Sequence, residues 1–194
     1  MPKTPAKKQV LVLLGSPRKK GNSAALAAAI AEGAREAGAR VEAIFLHGKK
    51  IAPCKSCYAC QKRNSRRCAI DDDMQPIYAK LKRADAWVLA SPVYWFNMSA
   101  QMKTLMDRLF ALKAYQIDPR GKKAAIAMSF GDSDPFSSGC VNALRCFQDA
   151  FAYIGLPIAG MVYGSAGGAG EILANAELMQ QARELGQRLL PPAQ

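Results

Sequence analysis

Histidine is almost absent from the chain, and basic residues outnumber acidic ones. His47 is the single histidine among 194 residues, so neither a Ser-His-Asp triad nor a histidine-rich metal site is expected. Lysine and arginine total 27 against 15 acidic residues, a formal net charge of +12. This charge suits nucleic acid, anionic cofactors or acidic proteins. Since the charges are scattered over several loops and no nucleic-acid-binding motif is present, nucleic acid is not an expected partner.

Long apolar runs are also missing. No stretch approaches the roughly 20 apolar residues that a membrane span needs. The run at 10–14 is shorter than the apolar core of a signal peptide, roughly 7–15 residues. We therefore expect a cytoplasmic protein with no membrane partner. Because 50% of the residues are hydrophobic, enough for one buried core, we expect residues 1–194 to form a single domain.

Strand and helix patterns alternate along the chain. Strands are predicted at residues 9–14, 40–46, 85–90, 122–130 and 157–163. Helices are predicted at residues 23–37, 73–83, 99–112, 137–154 and 171–190, the last ended by Pro191 and Pro192. This alternation predicts an α/β fold: a doubly wound, five-stranded parallel sheet of order 2-1-3-4-5 with helices on both faces.

In such sheets ligands bind beyond the carboxyl ends of the strands, next to the first strand. Residues 15–23, Gly-Ser-Pro-Arg-Lys-Lys-Gly-Asn-Ser, lead from that strand into a helix N-terminus, where free N–H groups and the helix dipole favour a phosphate. The loop matches neither G-x-G-x-x-G nor the Gly-Lys-Ser/Thr ending of a triphosphate loop. The predicted phosphate-binding residues are Ser16, Arg18, Gly21, Asn22 and Ser23. The alternative is an ordinary turn with Ser23 as N-cap.

Two further loops at the same edge suit a flat ring. Residues 91–98 read Ser-Pro-Val-Tyr-Trp-Phe-Asn-Met, and an extended segment cannot bury three consecutive aromatic side chains. Apolar walls with a few polar donors are what a flavin ring needs. The predicted contacts are Ser91, Pro92, Val93, Tyr94, Trp95 and Asn97, together with Gly131 and Asp132 of the loop after strand four. Alternatively, Trp95 and Phe96 pack at a subunit interface, and the loop after strand four is a simple turn.

Together these loops resemble the flavodoxin-like NAD(P)H-dependent FMN reductase family. The resemblance rests on residues 15–23, on 91–97 followed by Met-Lys-Thr-Leu-Met-Asp-Arg at 102–108, and on the Gly-rich turn before the last helix. It implies that the first motif binds the FMN phosphate and that the second contacts the isoalloxazine ring. It also implies a homodimer or homotetramer whose flavins lie near subunit contacts.

Four of the six cysteines lie in a polar segment, about residues 48–72, that is longer than a usual α/β connection. They are spaced Cys54-x2-Cys57-x2-Cys60-x7-Cys68, and residues 49–70 hold seven basic residues and no acidic one. Clustered cysteines in a reducing compartment indicate metal or redox chemistry. The run resembles the iron-sulfur flavoproteins, a branch of the same family, which implies a [4Fe-4S] cluster on these four cysteines. Zinc and free or structural thiols are the open alternatives.

The resemblance implies an oxidoreductase in which NAD(P)H reduces FMN. Electrons would then pass to a small acceptor such as a quinone, or through the cluster to a redox partner protein. The cofactor carries this chemistry, so no catalytic side chain is predicted. The alternative is a flavodoxin-type electron carrier without NAD(P)H turnover. Such carriers are typically acidic, whereas this chain is basic.

Overall fold

A computed structural model describes residues 7–190. Its strands are β1 (Gln9–Leu14), β2 (Arg40–Phe45), β3 (Ala86–Tyr94), β4 (Asn97–Met98), β5 (Lys123–Phe130) and β6 (Ile158–Ser165). Its α-helices are α1 (Asn22–Glu36), α2 (Met74–Arg83), α3 (Ala100–Arg108), α4 (Cys140–Ile154) and α5 (Ala176–Arg188). Five strands form a parallel sheet in the order β2-β1-β3-β5-β6, while β4 pairs antiparallel with the end of β3. The predicted doubly wound α/β fold is confirmed, with β4 as an additional short strand.

The two faces of the sheet are covered by different helices. Successive residues of a strand point to opposite faces. Leu11 and Leu13 of β1 therefore pack with α2, α3 and α4, whereas Val10 and Val12 pack with α1 and α5. No helix within residues 7–190 is long and apolar enough to cross a membrane.

Helices α1 and α5 approach each other with backbone against backbone. A Cβ atom at Gly33 of α1 would lie 1.9 Å from the carbonyl oxygen of Arg183, and one at Gly186 of α5 would lie 2.0 Å from that of Ile30. Only glycine permits such an approach. The crossing therefore fixes where α1, and with it the loop that precedes it, lies relative to the sheet.

Several predicted boundaries need correction. The third strand continues to Tyr94, because residues 93–94 pair with β4 in a hairpin that the sequence pattern did not predict. The third helix ends at Arg108 and continues as a 3-10 helix at Leu109–Tyr115. The last helix begins only at Ala176, because the Asn175 side chain accepts a hydrogen bond from the N–H of Leu178 and separates it from a short 3-10 turn. The prolines predicted to end it, Pro191 and Pro192, lie outside the described residues.

Candidate functional site

A cavity of about 200 Å³ lies at the carboxyl edge of the sheet, surrounded by the loops after β1, β3, β5 and β6. It brings together most of the residues predicted to bind a cofactor: Ser16, Arg18, Gly21, Asn22, Ser23, Pro92, Val93, Tyr94 and Gly131. It also includes Ser129 and Phe130 from the end of β5, and Ala166, Gly167 and Ala169 from the loop after β6. Those five were not predicted, because neither the last residues of β5 nor the small residues after β6 carry a chemical signal of their own in the sequence.

The loop after β1 leaves the N-terminus of α1 open to a ligand. Its N-cap residue is Gly21, rather than Ser23, and no side chain caps the helix. The main-chain N–H of Arg18 donates to Ser16 Oγ at 3.0 Å, and the N–H of Gly21 donates to the Arg18 carbonyl at 3.1 Å. A Cβ at Gly21 would lie 3.1 Å from Ser16 Oγ, so the loop folds tightly only around glycine. The first N–H groups of the helix thus remain available to an anion.

Ser23 presents an unusual buried hydroxyl in the first turn of α1. The residue is 1% exposed, and within residues 7–190 its Oγ atom has no hydrogen-bond partner. Buried hydroxyl groups are normally paired, since an unpaired one loses its water without compensation. Because Ser23 also lines the cavity, a ligand oxygen there would supply the missing partner.

The side chain of Asn22 is directed away from a phosphate-binding role. Its Nδ2 donates to the Gly168 carbonyl at 2.8 Å and more weakly to Ala166 at 3.4 Å, and its Oδ1 accepts from the N–H of Ile172 at 3.3 Å. Asn22 therefore ties the loop after β6 to the first turn of α1. Its side chain shapes the cavity by holding two walls together.

We expect Asn22→Ala to release the loop after β6. Amide hydrogen exchange should become faster in residues 166–172, because the three side-chain hydrogen bonds are lost, while α1 keeps its helix propensity. The matched control is Asn142→Ala, whose side chain donates to the Phe96 carbonyl at 3.1 Å and should affect the β3–β4 turn instead. Unchanged exchange at 166–172 in Asn22→Ala would show that the tie does not hold the loop.

The aromatic loop is the tip of the β3–β4 hairpin. Trp95 and Phe96 have left-handed φ angles of 48° and 62°, as the two central residues of a type I′ turn require. Tyr94 lines the cavity, whereas Trp95 is 92% exposed and lies outside it. The hairpin therefore places Tyr94 at the cavity and leaves Trp95 exposed to solvent.

Three other predicted contacts also lie outside the cavity, each engaged locally. The Ser91 hydroxyl is buried, donates to the Pro92 carbonyl at 2.9 Å and accepts from the N–H of Ser99 at 2.9 Å. Asn97 Oδ1 accepts from the N–H of Met98, and Asp132 Oδ1 accepts from that of Ser133. These groups shape the loops, and their cofactor contacts stay predictions.

The four clustered cysteines differ in their surroundings. Cys54 and Cys57 are exposed, Cys60 is half-buried and Cys68 is buried. In the described part of the chain, no three cysteine, histidine or acidic side chains come together as a metal-binding group. As they lie, the thiols do not fit the cluster that the resemblance to the iron-sulfur flavoproteins implied.

A buried ion pair holds the end of the cysteine segment against α3. Arg108 and Asp72 are 1% and 9% exposed in their side chains, and the guanidinium contacts both carboxylate oxygens, at 2.6 and 3.1 Å. Arg108 also donates to the Ala52 carbonyl at 2.8 Å and approaches Cys68 Sγ at 3.6 Å. Burial by itself would raise the pKa of Asp72, but hydrogen bonds from Arg108 and from the N–H groups of Ala52 and Met74 outweigh it and hold that pKa below its usual value.

The fold and the cavity define a flavodoxin-like protein in which the open N-terminus of α1 lies beside a cavity. The sequence model of the NADPH-dependent FMN reductase family matches residues 9–194, and the chain belongs to this family. An iron-sulfur flavoprotein of Methanosarcina thermophila is 41% identical over 119 residues, which is 61% of each chain. A Bacillus subtilis protein named as an NAD(P)H-dependent FMN-containing oxidoreductase is 25% identical over 188 residues, 93% of this chain and 97% of its own.

The fold is shared with solved structures. An NAD(P)H:quinone oxidoreductase from Methanothermobacter marburgensis superposes with a TM-score of 0.73 at 21% identity, covering 97% of this chain and 99% of that one. At this identity the similarity establishes the fold. This chain spans only 61% of the length of its Methanosarcina relative.

Proposed function

We propose that the chain binds FMN in the cavity and passes electrons from NAD(P)H to a small acceptor. The unpaired, buried Ser23 hydroxyl at the open N-terminus of α1 carries this proposal, since a phosphate oxygen would satisfy it. Family membership and the names of the relatives support the same cofactor.

Each loop has a distinct part in this proposal. Ser16, the N–H groups of the first turn of α1 and the Arg18 guanidinium would hold the phosphate, while Gly21 lets the backbone come close. Pro92, Val93, Tyr94 and Gly131, which line the same cavity, would contact the ring. When bound, FMN would accept a hydride from NAD(P)H and deliver two electrons to the acceptor. The protein binds and orients, so no side chain need act as an acid or base.

We expect Ser23→Ala to weaken FMN binding about tenfold or more, because a charge-assisted hydrogen bond to phosphate is lost. The apoprotein should melt no lower than the wild type, since an unpaired buried hydroxyl is removed and alanine favours helix. Flavin fluorescence titration and thermal melting measure the two effects.

Riboflavin is the matched control for this variant. It has the same ring and ribityl chain but no phosphate, so Ser23→Ala should leave its affinity unchanged. If the variant lost affinity equally for riboflavin and for FMN, Ser23 would act on a part of the ligand other than the phosphate. FMN binding with unaltered affinity would contradict the phosphate assignment.

Turnover separates a reductase from a flavodoxin-type carrier. The FMN-loaded protein should oxidise NADPH or NADH in the steady state under anaerobic conditions when a quinone is supplied. Absence of turnover with both donors, despite stoichiometric FMN, would leave only the carrier function.

We propose the [4Fe-4S] cluster as a separate hypothesis from which no step of the reaction is derived. Its support is the cysteine spacing and the names of relatives, and the separation of the thiols in the described residues stands against it. Iron and sulfide assays of anaerobically purified protein, alongside Cys54→Ser, test it. About four irons per chain, lost in the variant, would support a cluster. Bound zinc would support a zinc site, and the absence of any metal would support free or structural thiols.

We also propose that the chain forms one domain and assembles as a homodimer or homotetramer in the cytoplasm. The two core clusters share one sheet, which supports a single domain. Trp95, Phe96 and Phe136 are large exposed aromatic residues at or near the cavity edge of the sheet, which supports an interface there. Light scattering of the wild type and of Trp95→Ser should show an oligomer that the substitution weakens; a monomeric wild type would contradict this.

A further inference from the structure

A second groove, of about 380 Å³, lies next to the proposed phosphate loop. Lys19 from that loop, Phe45 from the end of β2, and Lys49, Asp73 and Lys80 line it. Buried Ile44 and Ile77 form part of its wall. The groove thus combines apolar walls with several cations, a composition suited to the anionic end of a nucleotide.

Two of these lysines are not neutralised by a carboxylate of residues 7–190. Lys80 forms an ion pair with Glu42, and the Asp73 carboxylate accepts the main-chain N–H of Lys50 at 2.8 Å. In contrast, neither Lys19 nor Lys49 has a carboxylate partner in the part of the chain that the structure describes. An anion entering the groove would therefore meet two unpaired ammonium groups.

The ring of Phe45 directs Lys19 to this groove. The Lys19 ammonium lies 5.5 Å from the ring centroid, within the range of a cation–π interaction. This contact holds the lysine over the end of β2, although its main chain belongs to the loop after β1. The groove therefore adjoins the proposed FMN phosphate site through one short segment.

The strand order places the groove on the other side of the phosphate loop from the proposed ring contacts. Along the sheet, the proposed ring contacts lie at the ends of β3 and β5, the phosphate loop follows β1, and the groove lies at the end of β2. Neighbouring strands are about 4.8 Å apart, so the groove lies one strand beyond the phosphate and on the side away from the ring. If a dinucleotide with its nicotinamide over the ring extends along the flavin, its adenosine end points toward β2.

We propose that this groove binds the adenosine 2′-phosphate of NADPH, and that Lys19 and Lys49 select NADPH over NADH. The proposal rests on the function proposed above, because it requires a nicotinamide donor. It adds a site for the one group that distinguishes the two donors. Phe45 is a positioning residue that acts through Lys19.

Calorimetric titration of the FMN-loaded protein with 2′,5′-ADP and with 5′-AMP tests the site without turnover. The two probes differ only in the 2′-phosphate. We expect the wild type to bind 2′,5′-ADP at least tenfold more tightly, and Lys19→Ala/Lys49→Ala to lose this preference. Inorganic phosphate, titrated in parallel, should bind far more weakly than 2′,5′-ADP.

The matched control is Lys113→Ala, an exposed lysine outside the groove that should leave the preference unchanged. Steady-state kinetics form the second arm. In the double variant the kcat/KM ratio of NADPH to NADH should fall about tenfold or more, and Phe45→Leu should lower it less.

The failures are distinguishable. If the wild type oxidises neither donor, the proposed function is wrong. The calorimetric titrations then decide by themselves whether the groove binds the 2′-phosphate. If 2′,5′-ADP and 5′-AMP bind equally, or if the double variant keeps the preference, the groove does not bind the 2′-phosphate. If inorganic phosphate binds as tightly as 2′,5′-ADP, the lysines form a general anion site, which overturns the assignment to NADPH.

Discussion

Replacing Arg108 with methionine is expected to lower the free energy of unfolding by about 3–5 kcal/mol. The substitution keeps an apolar stem of similar length but leaves the Asp72 carboxylate 9% exposed without its cation. It also removes the donors to the Ala52 carbonyl and to Cys68 Sγ, so both ends of the cysteine segment lose an anchor. Breaking one side of a buried pair is costly because the remaining charge has lost its water.

Urea denaturation measures this effect, and pH provides an independent check. The pKa of the Asp72 carboxyl is lower in the folded protein than in the unfolded chain. The ion pair therefore stabilises the folded state fully above the unfolded-state pKa of about 3.9, and this stabilisation is lost as the pH falls through the lower pKa of the folded state. The stability difference between Arg108→Met and wild type should therefore narrow in acid. The control, Arg145→Met, breaks an exposed pair with Asp149 and should cost less than about 1 kcal/mol. Equal losses in both variants would refute the buried-pair account.

Gly33→Ala is expected to destabilise the protein by about 3 kcal/mol or more. The new methyl group would lie 1.9 Å from the Arg183 carbonyl oxygen, an impossible distance, and backbone atoms cannot turn aside as a side chain can. α1 and α5 must therefore separate along their contact. Since α1 begins at the proposed phosphate loop, FMN affinity should fall as well.

Thermal melting with and without FMN measures both consequences. Gly121→Ala is the matched control, because its added Cβ would meet nothing within 4 Å. It should leave the melting temperature unchanged or slightly higher. A melting temperature of Gly33→Ala close to that of the wild type would mean that the helices do not cross as tightly as described.

Helix α3 joins the proposed flavin site to the cysteine segment. Its N-cap, Ser99, donates through Oγ to the Gly15 carbonyl at 2.8 Å and through its N–H to Ser91 Oγ at 2.9 Å. Its last residue, Arg108, contacts Asp72 and Cys68. Ser91, predicted from sequence as a ring contact, thus serves to fix this helix.

The sequence was enough to predict which loops form the site, but it did not predict what most of the polar side chains in those loops contact. Position after a strand placed Ser16, Ser23, Tyr94 and Gly131 correctly at the cavity. The roles of individual polar groups depend on neighbours distant in sequence. The Asn22 side chain donates a hydrogen bond to the carbonyl of Gly168, which is 146 positions away in the sequence. No local sequence pattern predicts that partner.

The sequence by itself predicted the alternation of strands and helices and the loop that leads from β1 into α1, because hydrophobic periodicity and a strand–loop–helix junction are local properties. The sheet order followed from the rule for doubly wound sheets of five alternating strands. Only the tertiary structure decided which face each side chain presents. It turned Trp95 outward, drew Lys19 toward Phe45 and gathered the cavity from four loops. It also paired Arg108 with Asp72 and, within the described residues, brought no three of the thiols together as a metal-binding group, since burial and long-range contacts arise only when the chain packs.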